Sequence, residues 1–252
     1  MKIALLMLLS LAIAAPLAAD DCRHTAPRQL TEPSDGIRVV EIRAAAGSLL
    51  VEGVGGATVR ASGTACSSSE DDLDGIRLES NRRGDRLIVE AVMPDTRSWS
   101  FGWNVQRRLD FTVALPSNLS VEIDDGSGSI EVRNVAAVEI EDGSGPIDIR
   151  GVRGAVRIDD GSGDITIRDA GPIHITDGSG DIDIQSVRGD VIIEDDGSGG
   201  IEIADVTGNV VVENDGSGSI AVRNISGDFT VRHDGSGGVS VHGVRGRVSV
   251  PK

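Results

Sequence analysis

The chain predicts an all-β fold: a parallel β-solenoid, or β-helix, with two strands per coil of about 17–19 residues and less regular coils toward its N-terminus. Three observations predict it. Asp-Gly-Ser-Gly occurs seven times, beginning at Asp125, Asp142, Asp160, Asp177, Asp196, Asp215 and Asp234, at intervals of 17, 18, 17, 19, 19 and 19 residues. A near-fixed period with the same turn in every copy marks a supersecondary unit that buries its apolar face only by stacking on its neighbours. Between the turns, β-branched apolar residues alternate with Asp, Glu, Thr and Arg, the half-buried strand pattern, and no segment after residue 19 has helical periodicity. With only about nine residues per strand and turn, stacked coils are more economical than hairpins; a meandering antiparallel barrel is the alternative topology.

The elements follow in chain order. Residues 1–19 open with Met1-Lys2, run through an apolar stretch from Ile3 to Ile13 and end in small residues before Asp20-Asp21, which reads as a secretory signal peptide. That stretch is too short for a convincing membrane span, and no later run is long enough for one. Loss of residues 1–19, where Lys2 is the only charged side chain, takes the formal charge from −16 to −17. This argues against nucleic acid and anionic lipid surfaces as partners, since both need clustered Lys and Arg. The cysteines, Cys22 and Cys66, are expected to form one disulfide in an oxidising exported compartment. Cys22 as a lipid anchor is the rival, but Ala19-Asp20-Asp21 before it is the wrong context.

Residues 20–34 read as a polar lead-in. Residues 35–124 read as irregular coils: Val39, Val40 and Ile42 lead through Gly47 to Leu49 and Val51, and Ile76, Leu78, Leu87 and Val89 continue the pattern. Residues 67–74 read as a solvated loop. Residues 125–252 form the regular array, continuous with the coils before it. Its fullest copy runs from Asp177-Gly-Ser-Gly180 through Ile182 and Ile184 to Val187, Gly189, Val191 and Ile193. The glycines supply positive φ or close backbone approach, and each aspartate can hold turn amides in an Asx turn. Stacking at about 4.8 Å makes an interior column of Ile130, Ile147, Ile165, Ile182, Ile201, Ile220 and Val239, each worth roughly 1.5–3 kcal/mol if fully buried.

Gly47-Ser48-Leu49-Leu50-Val51, the segment from Phe111 through Pro116 to Val121, and the Gly-Ser-Gly-x-Ile-x-Ile repeats together resemble the bacterial putative-adhesin family of β-strand-repeat envelope proteins. The likeness covers nearly the whole chain after residue 19, and its motifs are structural. It implies a β-solenoid in the cell envelope, periplasmic or extracellular, and carries over no catalytic residue.

Three constellations have ligand chemistry. Stacked coils place the aspartates Asp125 to Asp234 along one edge, with Asp124, Glu141, Asp159 and Asp195 beside them; such an edge has the oxygens that Ca²⁺ takes. Two carboxylates about 4.8 Å apart in water repel by only about 0.9 kcal/mol, so turn capping without metal is the expected role. A second column, Arg133, Arg150, Arg168, Gln185, Ala204, Arg223 and His242, is expected to balance charge, with an anionic-glycan strip as the sharper alternative. In the third, Trp99, Phe101 and Trp103 alternate with Ser100 and Gly102; they are expected to cap the core, or otherwise to form a platform for a partner.

Enzyme chemistry is not expected. Asp-Gly-Ser-Gly is neither a nucleophile elbow nor an aspartic-protease motif, and His24, His174, His233 and His242 lack ligand or triad spacing. The expected function is an exported, non-catalytic envelope protein with an adhesin-like structural or binding role toward envelope glycan or protein, without a cofactor. The alternatives are a calcium-binding repeat module and, more remotely, a polysaccharide-processing enzyme.

Overall fold

A computed structural model describes residues 22–94 and 106–251. The described N-terminal part contains β1 (His24–Pro33), β2 (Val39–Arg43), β3 (Leu49–Val54), β4 (Thr58–Ser67), α1 (Glu70–Leu73), β5 (Arg77–Arg83), β6 (Arg86–Val92) and β7 (Arg107–Pro116). The repeats then supply strand pairs, one pair per coil: β8 (Ser120–Asp125) with β9 (Ile130–Arg133), β10 (Val138–Asp142) with β11 (Ile147–Arg150), and β12 (Val156–Asp160) with β13 (Ile165–Ala170). The later pairs are β14 (Ile173–Asp177) with β15 (Ile182–Val187), β16 (Val191–Asp196) with β17 (Ile201–Val206), β18 (Val210–Asp215) with β19 (Gly218–Ile225), and β20 (Phe229–Asp234) with β21 (Gly237–His242); β22 (Val248–Ser249) follows.

Each coil contributes one strand to each of two eleven-stranded sheets, one ordered β1-β4-β7-β3-β9-β11-β13-β15-β17-β19-β21, the other β22-β20-β18-β16-β14-β12-β10-β8-β2-β6-β5. All pairings from β8 onward are parallel, which removes the antiparallel barrel. Ile130, Ile147, Ile165, Ile182, Ile201 and Ile220 stack in register and are at most 2% exposed, as the alternation predicts. Val239 continues the column in β21 but is only partly buried. The opposite sheet answers with columns such as Val121, Val138, Val156, Ile173, Val191 and Val210, so the core is a ribbon of β-branched side chains between two sheets.

The N-terminal half departs from the expected order of coils. The β2–β3 coil lies between β8–β9 on one side and β6–β7 on the other, so a later segment of chain is stacked beneath an earlier one. β5 and β6 form an antiparallel hairpin rather than a further coil. The expected polar lead-in is a strand: β1 pairs antiparallel with β4 over ten residues, its side chains alternating between exposed and half-buried as an edge requires. Pro27 and Pro33 are tolerated there because an edge strand has one side free of ladder hydrogen bonds. The expected loop at 67–74 contains the single helical turn α1, which Arg28 fastens through its guanidinium to the Leu73 carbonyl (2.7 Å) and the Ile76 carbonyl (2.5 Å).

Both corners of the coil are set by backbone geometry. At one, Asn134, Asp169, Ser186, Asp205 and Asn224 adopt left-handed φ of 56–63°, with Gly151 and Gly243 at equivalent places. Short polar residues and glycine are the types that tolerate this region. At the other, the second glycine of Asp-Gly-Ser-Gly lies at φ between 135 and 159°, and its N–H donates to the serine carbonyl of the next coil, as from Gly163 to Ser179 (2.8 Å) and from Gly180 to Ser198 (2.9 Å). A Cβ on Gly180 would lie far closer to the Gly163 carbonyl oxygen than van der Waals contact allows, and the same conflict recurs at Gly145, Gly199 and Gly218.

Gly180→Ala is therefore expected to cost on the order of 2–3 kcal/mol in chemical denaturation. Gly238→Ala, where an added Cβ meets nothing within 4 Å, should stay within about 0.5 kcal/mol. Equal costs at the two positions would contradict the stacked-corner geometry.

Candidate functional site

Strand parity decides where the aspartates go. In β10 the side chains of Val138, Ile140 and Asp142 point inward while Glu139 and Glu141 point out. The carboxyl is thus the last inward position of the strand, at the corner of the core. In β16 an extra residue intervenes between Ile193 and Asp195, and this bulge returns Asp196 to the inward side opposite Asp177. Asp125, Asp142, Asp160, Asp177, Asp196, Asp215 and Asp234 consequently stack in register along one sheet. The expected exposed edge is corrected: the first six are only 2–7% exposed, since the parity that buries the isoleucines also buries them.

Turn capping holds in part. The N–H of Ser144, Ser162 and Ser179 donates to one oxygen of Asp142, Asp160 and Asp177 respectively, each at 3.2 Å, while the second oxygen is buried without a donor. Neither oxygen of Asp125, Asp196 or Asp215 makes a well-formed hydrogen bond, although nearby turn amides, Gly126 and Ser127 at Asp125, Ser198 at Asp196 and Ser217 at Asp215, oppose the rise in their proton affinity. Burial foremost, then the charge of Asp142 and Asp177, pushes Asp160 up to about 7. Burial and the charges of Asp177 and Asp215 do the same to Asp196, also about 7. Asp125 and Asp177 rise to about 6, and Asp142 and Asp215 are raised too, burial being the largest cause in each. Among the described residues, no three His, Cys, Asp or Glu side chains converge on a point that could hold a metal ion.

The arginine column also stacks in register, from Arg133 through Arg150, Arg168, Gln185, Ala204 and Arg223 to His242. Its cations are matched by acids on the same outer face: Arg133 with Glu131 (2.6 Å), Arg150 with Asp148 (2.6 Å), Arg168 with Asp183 (3.1 Å) and Arg223 with Glu202 (3.7 Å). Exposed pairs of this kind add little stability, so the column balances charge along the face. On the opposite outer face Arg86 joins Glu41 (3.1 Å) to Glu122 (2.9 Å) at a shallow groove of about 270 Å³ also lined by Asp124, Glu139 and Glu141.

Trp99, Phe101 and Trp103 lie outside the described residues. A few residues further on, Arg107 is engaged by Asp72 at 2.7 Å and Arg108 faces Asp110 at 3.1 Å. The histidines do not meet: His174 pairs with Glu194 (2.6 Å) and His233 faces the Glu213 carbonyl (3.3 Å). Cys22 and Cys66 form the expected disulfide, their Cα atoms 5.5 Å apart, joining the lead of β1 to the end of β4.

Residues 30–190 match the family described as Toastrack DUF4097, more than half of the chain, and the protein belongs to that family. Among solved structures it is similar to a "putative adhesin" from Bacteroides fragilis, at 11% identity over 92% of this chain and 99% of that one, with a TM-score of 0.46. It is also similar to a "putative lipid binding protein" from Parabacteroides distasonis, at 12% identity over 91% and 98% with a TM-score of 0.43. A third likeness is to a "putative cell adhesion protein" from Clostridium sporogenes, at 11% identity over 89% and 99% with a TM-score of 0.35. Comparison with curated proteins gives no match.

The disulfide closes a 44-residue separation, for which chain entropy gives about 4 kcal/mol. Replacing both cysteines by serine should lower stability by up to that amount, read from denaturant midpoints. Thiol titration of the denatured, unreduced protein should find no reactive thiol, and finding two would contradict the bridge.

Proposed function

We propose that the chain is an exported, non-catalytic β-solenoid of the bacterial cell envelope with an adhesin-like structural or binding role. The observation that carries this reading is the pair of eleven-stranded sheets whose inner faces are sealed in one apolar ribbon and whose outer faces repeat charged rows from coil to coil. Such a body offers extended, rigid surface to a partner, the use to which stacked-repeat architectures are suited. The Cys22–Cys66 bridge fits an oxidising compartment. The clustered carboxylates of the shallow groove, Glu41, Glu122, Asp124, Glu139 and Glu141, sit on open sheet surface, without the enclosed cleft that substrate sites favour. Envelope glycan or an envelope protein is the proposed partner.

Fractionation and sedimentation test the proposal together. The full-length protein, expressed with a C-terminal tag in a bacterial host, should appear in the envelope or periplasmic fraction shortened at its N-terminus. When purified, it should co-sediment with isolated envelopes without releasing reducing sugar. Retention in the cytoplasm, failure to sediment, or release of sugar ends from the envelope would each overturn it.

A further inference from the structure

The inward aspartate column is unlike the rest of the interior. Six carboxyls that are 2–7% exposed stand one above another at the corner of an otherwise apolar ribbon, about 4.8 Å apart by strand spacing, and most of their oxygens have no donor. Buried carboxylates without partners are rare, because desolvating the charge costs far more than an apolar side chain gains. Among the described residues, no cation acts on them. The charged groups that act on the column are all acidic: Asp124 on Asp125, Asp164 on Asp177, and the column members on one another. Toward β2 the column ends at Asp125, whose neighbour Asp124 pairs with Arg43, and at the other end lies Asp234.

The in-register neighbour of each carboxyl in the column is the carboxyl of the next coil. The carboxyl of Asp215 acts on the proton affinity of Asp196, and those of Asp196 and Asp234 act on Asp215. Two carboxylates cannot hydrogen-bond without a proton between them, because an ionised carboxylate only accepts. The charge of the column can be removed by protons or by cations. Calcium needs six to eight oxygens, and among the described residues no three acidic side chains converge on one point. A proton needs only two neighbouring carboxyls, and the column sets carboxyl beside carboxyl in register from coil to coil.

We propose that the column is a proton-sharing carboxyl ladder: aspartates of successive coils share protons along the solenoid axis, so that stacking of the coils takes up protons and the array is tightest in acid. The direction follows from linkage. Burial raises these carboxyls above the ordinary value of 3.8, to about 7 at Asp160 and Asp196, so the folded chain keeps protons that the unfolded chain has released. The stabilisation is complete below the unfolded value and is lost as pH rises toward about 7. Neighbouring groups this close titrate as a set, so the loss spreads over the column.

Thermal unfolding of the purified protein, disulfide intact, at about pH 5 and about pH 8 tests this, each in EDTA and in millimolar Ca²⁺. The midpoint should fall on going to the higher pH, equally with and without calcium. Infrared spectra near pH 6 should show the C=O stretch of protonated carboxyl in the folded protein. The double variant Asp160→Asn/Asp196→Asn, near-isosteric and unable to titrate, should weaken that band and flatten the pH dependence. A midpoint independent of pH, a missing protonated band, or an unflattened slope in the folded variant would overturn the ladder. So would calcium at the higher pH restoring the low-pH midpoint, which would mark a cation-filled column. If the variant fails to fold, the midpoints and the infrared band of the unmodified protein decide alone.

Discussion

The contact of one turn glycine with the carbonyl of the glycine before it governs the rest of the structure. Gly145 sits against Gly128, Gly163 against Gly145, and Gly180 against Gly163, each where a Cβ would collide with backbone oxygen. Glycine lets the corners approach at strand spacing, and positive φ turns the chain while its N–H still reaches the next coil. Once the corners are in contact, the strands between them can pair only in parallel and in register. Equivalent residues of every repeat then fall into columns. The isoleucine ladder, the balanced arginine column and the buried carboxyl column are all consequences of this one constraint.

The period, the parallel stacking and the inward isoleucines were legible because they are local and repeated: each turn announces itself, and alternation of type reports the face. The disulfide was legible from compartment and number. Three features were not. β1 carries two prolines and no apolar alternation, and it is held as a strand by its pairing with β4, which no local pattern announces. The placing of β6–β7 beneath β2–β3 is a matter of topology, and the alternation of Leu87 and Val89 is the same whichever neighbour they pair with. The carboxyl column was in the sequence all along, since Val138-x-Ile140-x-Asp142 has inward parity. The chemistry of aspartate argues for solvent, and here the backbone overrules it.

Electrostatics divides between the two sides of the sheets. Outside, acids and arginines two residues apart or on adjacent strands neutralise each other in water, as with Arg150 and Asp148, and leave surfaces whose value lies in presenting the same pattern many times. Inside, like charges have no such partners and shift their proton affinity instead. The faces supply the surface on which the proposed binding role rests. The interior makes the rigidity of that surface depend on pH.

Amide hydrogen exchange at the turn glycines tests the stacked-corner account most directly. The N–H groups of Gly145, Gly163, Gly180, Gly199 and Gly218 each donate to a serine carbonyl of the following coil. The account predicts that they exchange as slowly as Ile165 and Ile182 in the strands, and that Gly237, in the last coil, exchanges fast. Turn glycines that exchange as fast as the exposed Gly55 and Gly56 would contradict it.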